Sequence, residues 1–354
     1  MEQPTLRLGL LGFSEPDTER LQGWVAQQQP GWPQWTVFDP HGADAWMICG
    51  NSAEVLGRDA LVIRHPFGSD QRLTLNRAEV DRPLAFSTPL PDGFASGEFF
   101  DAADEAGVRQ RLQRFEAWLR PLRTQFALGS LLVDRMHAFP RGVIRLLLDD
   151  RLVAVIDMDR ALVGLHTPAR PVDLNQATWV PGKGAAIDIP ASFMRLSLHR
   201  VMWTFAVRTA RDVLPPRYRE RVIHLRRVPR VPARWLDELH LRLMRELMVR
   251  PATLDELVVR LAMPGPLLER SVTELYFGGG LTTDPDSARR AEHAARRALI
   301  ALHFDRNSPE TAVQSRPDSS DLAALSSMLQ DSRHSPLRPV EPDPRSSGFA
   351  MLPY

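Results

Sequence analysis

The chain of 354 residues has one cysteine, Cys49, and one lysine, Lys183. A single thiol excludes a disulfide framework and any cysteine-based zinc site, and it fits a reducing compartment. Cys49 lies in the apolar run AWMICG, where nothing adjacent lowers its pKa, so it reads as a small hydrophobe rather than a nucleophile. With lysine almost absent, arginine carries the positive charge, a bias expected of a GC-rich bacterial genome. No apolar stretch approaches the roughly 20 residues that cross a bilayer, and no basic, apolar leader opens the chain, so a cytoplasmic protein with no membrane partner is expected. The ten histidines include no HExxH or His-x-His pair, and neither metal nor cofactor is expected.

The 44% apolar content is enough for two or three cores. The net charge of +1 conceals an uneven distribution: residues 208–250 carry twelve arginines against five carboxylates. Residues 1–125 alternate strand-like and helix-like patterns. Apolar strands are expected over 6–13, 35–38, 45–49, 61–63 and 84–86, with helices over 16–29 and 102–122. Short continuous apolar strands between helices predict an α/β domain with a five-stranded parallel sheet.

Order and size here resemble a response-regulator receiver of the flavodoxin type. That resemblance implies acidic residues after the first strand to hold magnesium, a phosphorylatable aspartate at the end of the third, and a lysine after the fifth. The sequence instead reads Phe13-Ser14-Glu15, Cys49-Gly50-Asn51 and Ser87-Thr88-Pro89 at those places. The resemblance therefore implies a degenerate receiver that cannot take phosphate by the family's chemistry and serves as a docking or dimerising surface.

Residues 126–230 form a central α+β region. Two apolar runs around Asp149-Asp150-Arg151 and a further turn at 157–160 predict a three-stranded antiparallel meander over 142–166. A helix is expected over 193–211, ended by Pro215-Pro216. Asp149, Asp150, Asp157 and Asp159 offer paired carboxylates, but aspartate is favoured at turns for its local hydrogen bonds, and no catalytic role is assigned. Pro181-Gly-Lys-Gly184 lacks the glycine spacing and the hydroxyl of a phosphate loop, and reads as a surface turn.

Residues 231–305 carry three short helices. Leu239, Leu243, Met244 and Leu247 make one apolar stripe, Thr253 and Glu256 form a capping box, and Met263-Pro-Gly-Pro266 is a turn into a third helix. A hairpin is expected after Gly278-Gly-Gly280. This order resembles a winged helix, which implies a reading head for DNA or protein. The third helix, 266–277, carries Glu269, Arg270 and Glu274, an acidic balance that disfavours a major groove. An arginine-studded helix is expected next, over 287–304, and the Ser- and Pro-rich tail, 306–354, is expected to be disordered.

Arg226, Arg227, Arg230 and Arg234 crowd the entry to the three helices, in a strip expected to be extended and exposed. With Arg289 and Arg290 they are the candidate contacts for phosphate, nucleotide or DNA. The Arg227-Val-Pro-Arg230 spacing also resembles arginine motifs that hold cyclic dinucleotides. At the tail, Phe349, Met351, Leu352 and Tyr354 make an apolar tip that is a candidate partner contact. Together these features predict a non-enzymatic regulatory adaptor acting through protein partners or a second copy of itself. The alternatives are a DNA-binding regulator and an arginine-mediated cyclic-dinucleotide effector.

Overall fold

The computed structural model describes residues 2–27, 32–56, 60–64, 72–76, 80–88, 98–139, 141–182 and 189–305. Lys183, Gly184 and the tail 306–354, with Phe349, Met351, Leu352 and Tyr354, lie outside them.

The chain opens with β1 (Thr5–Leu11), α1 (Glu15–Val25), β2 (Gln34–Val37) and β3 (Ala45–Ile48). Ser14 starts α1 by accepting a hydrogen bond from the Asp17 amide, and Pro16 occupies its first turn. Then come β4 (Ala53–Leu56), β5 (Ala60–Arg64), β6 (Arg72–Asn76) and β7 (Leu84–Phe86). The parallel sheet has four strands, in the order β2-β1-β3-β7, and not the expected five. The run at 61–63 belongs to β5, which pairs antiparallel with β4 and β6 in a separate three-stranded sheet. The alternating burial of β4 and β6 accounts for the difference: each has one wet face, as an antiparallel sheet allows and a doubly covered parallel one does not.

Two helices come next, α2 (Glu105–Trp118) and α3 (Arg120–Arg135), in place of the single helix expected over 102–122. Pro121 has no N–H to continue the first ladder, but it suits the first turn of a new helix. Leu6, Leu8, Leu21, Val108, Leu112 and Phe115 fill the space on one face of the parallel sheet. On the other face, Trp46, Ile48 and Phe86 meet Leu61, Ile63 and Leu75 of the small antiparallel sheet.

The central region holds β8 (Val143–Leu148), β9 (Arg151–Asp157), β10 (Leu162–His166), α4 (Pro171–Gln176), β11 (Thr178–Pro181), β12 (Phe193–Ser197) and α5 (Leu198–Ala206). The predicted meander is present as β8-β9-β10, and β11 and β12 extend it to five antiparallel strands. Asp149 and Asp150 both have positive φ, 48° and 62°, the geometry of a two-residue hairpin turn. Asp157 accepts from the Arg160 amide at 2.9 Å and Asp159 from the Gly142 amide at 3.1 Å, so all four aspartates serve turns. The helix expected over 193–211 begins only at Leu198, because 193–197 pairs with β10 and Ser197 caps the start of α5. One core joins α3, α5 and this sheet through Phe126, Leu128, Ile144, Ile156, Val201 and Phe205.

The last elements are α6 (Arg217–Glu220), β13 (His224–Leu225), α7 (Glu238–Val249), α8 (Leu254–Leu261), α9 (Gly265–Phe277), β14 (Leu281–Thr282) and α10 (Pro285–Asp305). The three expected short helices are α7, α8 and α9. The hairpin expected after them is not formed: β14 pairs with β13, which precedes the helices, and Pro285 starts α10 directly. Ile223 also bridges Ala252, in the link between α7 and α8.

A polar knot ties the first strand to α5 and α9. Asp44, 8% exposed, accepts from the Arg7 amide at 3.0 Å and pairs with the Arg208 guanidinium. Arg7 and Arg270 both donate to the Val207 carbonyl, at 3.0 and 2.9 Å, and thus satisfy the end of α5. The Thr5 amide adds a bond to Arg208 O.

Candidate functional site

The carboxyl ends of the parallel strands are where an α/β sheet of this kind binds ligands. Here Ser52 Oγ donates to Gly12 O at 2.7 Å, the Gly50 amide donates to Ser87 Oγ at 3.3 Å, and Thr88 Oγ1 donates to Asn51 Oδ1 at 3.3 Å. Neutral hydroxyls and amides close on one another at this edge. A broad cleft of about 1060 Å³ opens beside it, with Glu15, Glu19 and Asp39 facing His41, Arg64 and Arg72. Among the described residues no group of three or more His, Cys, Asp or Glu side chains is placed to hold a metal ion.

The α9 helix is the third of the three expected short helices, the one that a winged helix would use to read a major groove, yet seven of its thirteen residues are buried. Leu268, Val272 and Leu275 face the core, and Ser271, Thr273 and Glu274 are buried as well. The cause is that α9 packs against α5 as well as against α7 and α8, and Trp203 of α5 also meets His240 of α7, with ring centroids 5.1 Å apart. Only Pro266, Leu267 and Arg270 of this helix are exposed, too few to line a major groove. Solvent instead meets α7 and α8, where Leu241, Met248, Val249 and Val259 are exposed; the two valines stand at 81% and 80%.

The arginine strip is the most unusual electrostatic feature. The segment is not wholly extended and exposed: Arg226 and Arg230 are exposed, Arg227 is half-buried, and Pro229 and Val231 are buried. The Arg234 side chain lies outside the described ones. Arg227 Nη2 lies 2.7 Å from His199 Nε2, and Arg227 Nε donates to Gly279 O at 3.2 Å. His199 belongs to the first turn of α5, so the strip lies against the positive end of that helix.

Three glycines make this approach possible. Gly279 has a φ of +75°, and a Cβ there would fall 2.7 Å from His199 Cε1 and 3.0 Å from Arg227 Nη2. Gly278 and Gly280 leave similar room for Pro229. The triple glycine, which the sequence marks as a helix end, also serves as a seat for the strip.

Burial, then the charges of Arg227, Arg230 and Arg226, lowers the pKa of His199 to about 4. The imidazole is therefore neutral at ordinary pH and accepts at Nε2 from Arg227. Burial, then Arg230 and Arg226, also lowers the pKa of Arg227 to about 10. No carboxylate contributes to either shift, and among the described residues none pairs with Arg226, Arg227 or Arg230. Arg289 and Arg290 differ: they stand 3.6 Å from Asp286 and 3.5 Å from Asp284 and are not brought into this cluster. His199 is the member that sequence reasoning missed. In the sequence it is an isolated histidine among apolar and basic neighbours, and only the fold brings it to the arginines.

Comparison with protein families, with characterised proteins and with solved structures returned no match. No helix among the described residues is long and apolar enough to cross a membrane.

Proposed function

We propose that the protein is a non-enzymatic cytoplasmic signalling adaptor, built from a degenerate receiver-like domain and a winged-helix-like module that makes protein contacts. The burial of α9 carries this reading. A helix whose polar residues Ser271, Thr273 and Glu274 already lie inside the molecule is a packing element, and its module meets the outside through α7 and α8. The apolar side chains of those helices suit a protein partner or a second copy of the chain better than a phosphate backbone. The neutral hydrogen bonds at the carboxyl edge of the parallel sheet support a receiver-like role in docking rather than phosphoryl transfer.

The test is a photo-crosslinker at position 249 or 259 in the producing cells, combined with a duplex DNA titration at about 50 and about 200 mM salt. A discrete protein adduct from the crosslinker at 249 that Val259→Asp abolishes, or from the one at 259 that Val249→Asp abolishes, with no salt-sensitive duplex binding, is the expected result. Duplex binding that falls by orders of magnitude with salt, without an adduct, would replace the adaptor reading with a DNA-binding regulator.

A further inference from the structure

We propose that Arg226, Arg227 and Arg230, gathered against the first turn of α5, form a binding site for a small phosphate-bearing anion, a ligand that the adaptor reading does not require. Guanidinium groups repel one another, and folded chains ordinarily place a carboxylate among them. Elsewhere this protein does so: Arg208 has Asp44, Arg219 has Asp212 and Glu269, Arg211 has Asp134 and Glu2, and Arg270 has Glu274. At the α5 corner three arginines within five residues, the half-buried Arg227 among them, have no carboxylate partner among the described residues. The charges acting on half-buried Arg227 are other arginines, and they act on His199 as well.

The corner is also built rather than accidental. Arg227 is held by Gly279 O and His199, and the Arg226 amide donates to Gly280 O at 2.7 Å, so the backbone that carries the guanidinium groups is fixed. The Arg230 amide lies 3.4 Å from Gly278 O. Arg226 and Arg230 flank Arg227 in sequence and remain exposed, with no carboxylate paired to them among the described residues. A phosphoryl group suits this arrangement because its oxygens accept charge-assisted bonds from several forks at once, and the start of α5 adds a favourable field. His199 stays neutral in this site and so takes no part as a cation. A second macromolecule is the poorer fit: a duplex needs an extended row of phosphate contacts, and Arg289 and Arg290, the other candidate phosphate contacts, stand by Asp286 and Asp284.

Calorimetric titration of the full-length protein with inorganic pyrophosphate tests the proposal. Saturable one-to-one binding is expected, with sulfate at matched ionic strength much weaker. The exposed pair Arg226→Gln/Arg230→Gln should weaken it about tenfold or more, while Arg289→Gln/Arg290→Gln leaves it unchanged. A second readout guards against a folding defect: in the wild type, the His199 pKa tracked by NMR should rise from about 4 as pyrophosphate saturates the site. The proposal is overturned if pyrophosphate gives no saturable binding, or if the 226/230 pair binds like wild type with His199 unmoved. It is equally overturned if duplex DNA competes pyrophosphate off with a steep salt dependence, which would make the corner a grip for nucleic acid. None of these outcomes depends on whether α7 and α8 find a protein partner.

Discussion

Single residues in this fold hold charge in places where charge is costly, and His240 is the clearest case. It sits at the start of α7, 2% exposed, with Nδ1 2.7 Å from Asp237 Oδ1 and Nε2 2.8 Å from Glu274 Oε2. Burial alone lowers its pKa, but the contacts with Asp237 and Glu274 more than reverse this and raise it to about 9. A folded-state pKa above the unfolded value of about 6.5 means that the charged ring stabilises the fold fully below about pH 6.5. That contribution is lost as pH rises through about 9, and a shift of this size corresponds to about 3 kcal/mol. Deprotonation leaves Nδ1 able to accept from the Asp237 amide, 3.2 Å away, so the helix cap survives while the ion pair with Glu274 of α9 is lost. Urea unfolding of wild type and His240→Gln should show the larger gap near pH 6 and a gap smaller by about 2–3 kcal/mol above pH 9. An equal gap at both pH values would mean that the ring acts by shape alone. His199 runs the other way: its lowered pKa costs stability only as pH falls from about 6.5 toward about 4.

At the scale of elements, boundaries track local chemistry closely. Thr253 Oγ1 accepts from the Glu256 amide at 3.3 Å, and Glu256 Oε2 accepts from the Thr253 amide at 3.2 Å, a reciprocal cap on the eight residues of α8. Thr253→Ala should lower stability by about 1 kcal/mol, measured as a shift in urea midpoint with unchanged slope. A loss below about 0.3 kcal/mol would indicate that packing of Leu254, Leu257 and Leu261 alone sets the helix. This cap, the stripe on α7, the proline start of α9 and the Asp149-Asp150 turn are all legible in the chain, because each rests on residues two to four apart. Pairing between distant segments is not. An apolar run such as 61–63 looks the same in a parallel or an antiparallel sheet, and only its neighbours β4 and β6 decide. β13 is two residues long and pairs with a strand more than fifty positions away, so it leaves no periodicity to find. The candidate site divides in the same way: the arginines are visible as a cluster in sequence, whereas His199 and the close seat at Gly279 exist only after α5 meets the end of α9.

At the scale of the whole molecule, the buried polar knot matters most, because among the described residues it joins β1 of the parallel sheet, whose apolar clusters are separate from the central one, to the end of α5 and to α9. Asp44 and Arg208 are almost wholly buried, and Arg208 lies 164 positions along the chain from its partner. Loop closure over such a separation is entropically costly, so the pair forms only when its surroundings already fold. Burial, first of all, lowers the Arg7 pKa, with the Arg208 charge adding to it, while Glu274 and Asp44 work against both. Asp44 therefore holds the Arg7 backbone by its amide and Arg208 by its guanidinium, and removing it leaves the Arg208 charge without its carboxylate while Glu274 still acts on Arg7. Asp44→Ala should cost about 3–5 kcal/mol, the usual consequence of breaking a buried pair from one side. Because the knot includes Val207 at the end of α5 and Arg270 on α9, hydrogen exchange should rise across β1, α5 and α9 together. A variant that loses protection only around β1 would show that the regions are merely adjacent. A concerted loss would mean that β1, α5 and α9 open as one cooperative unit, held together by the buried polar residues between them.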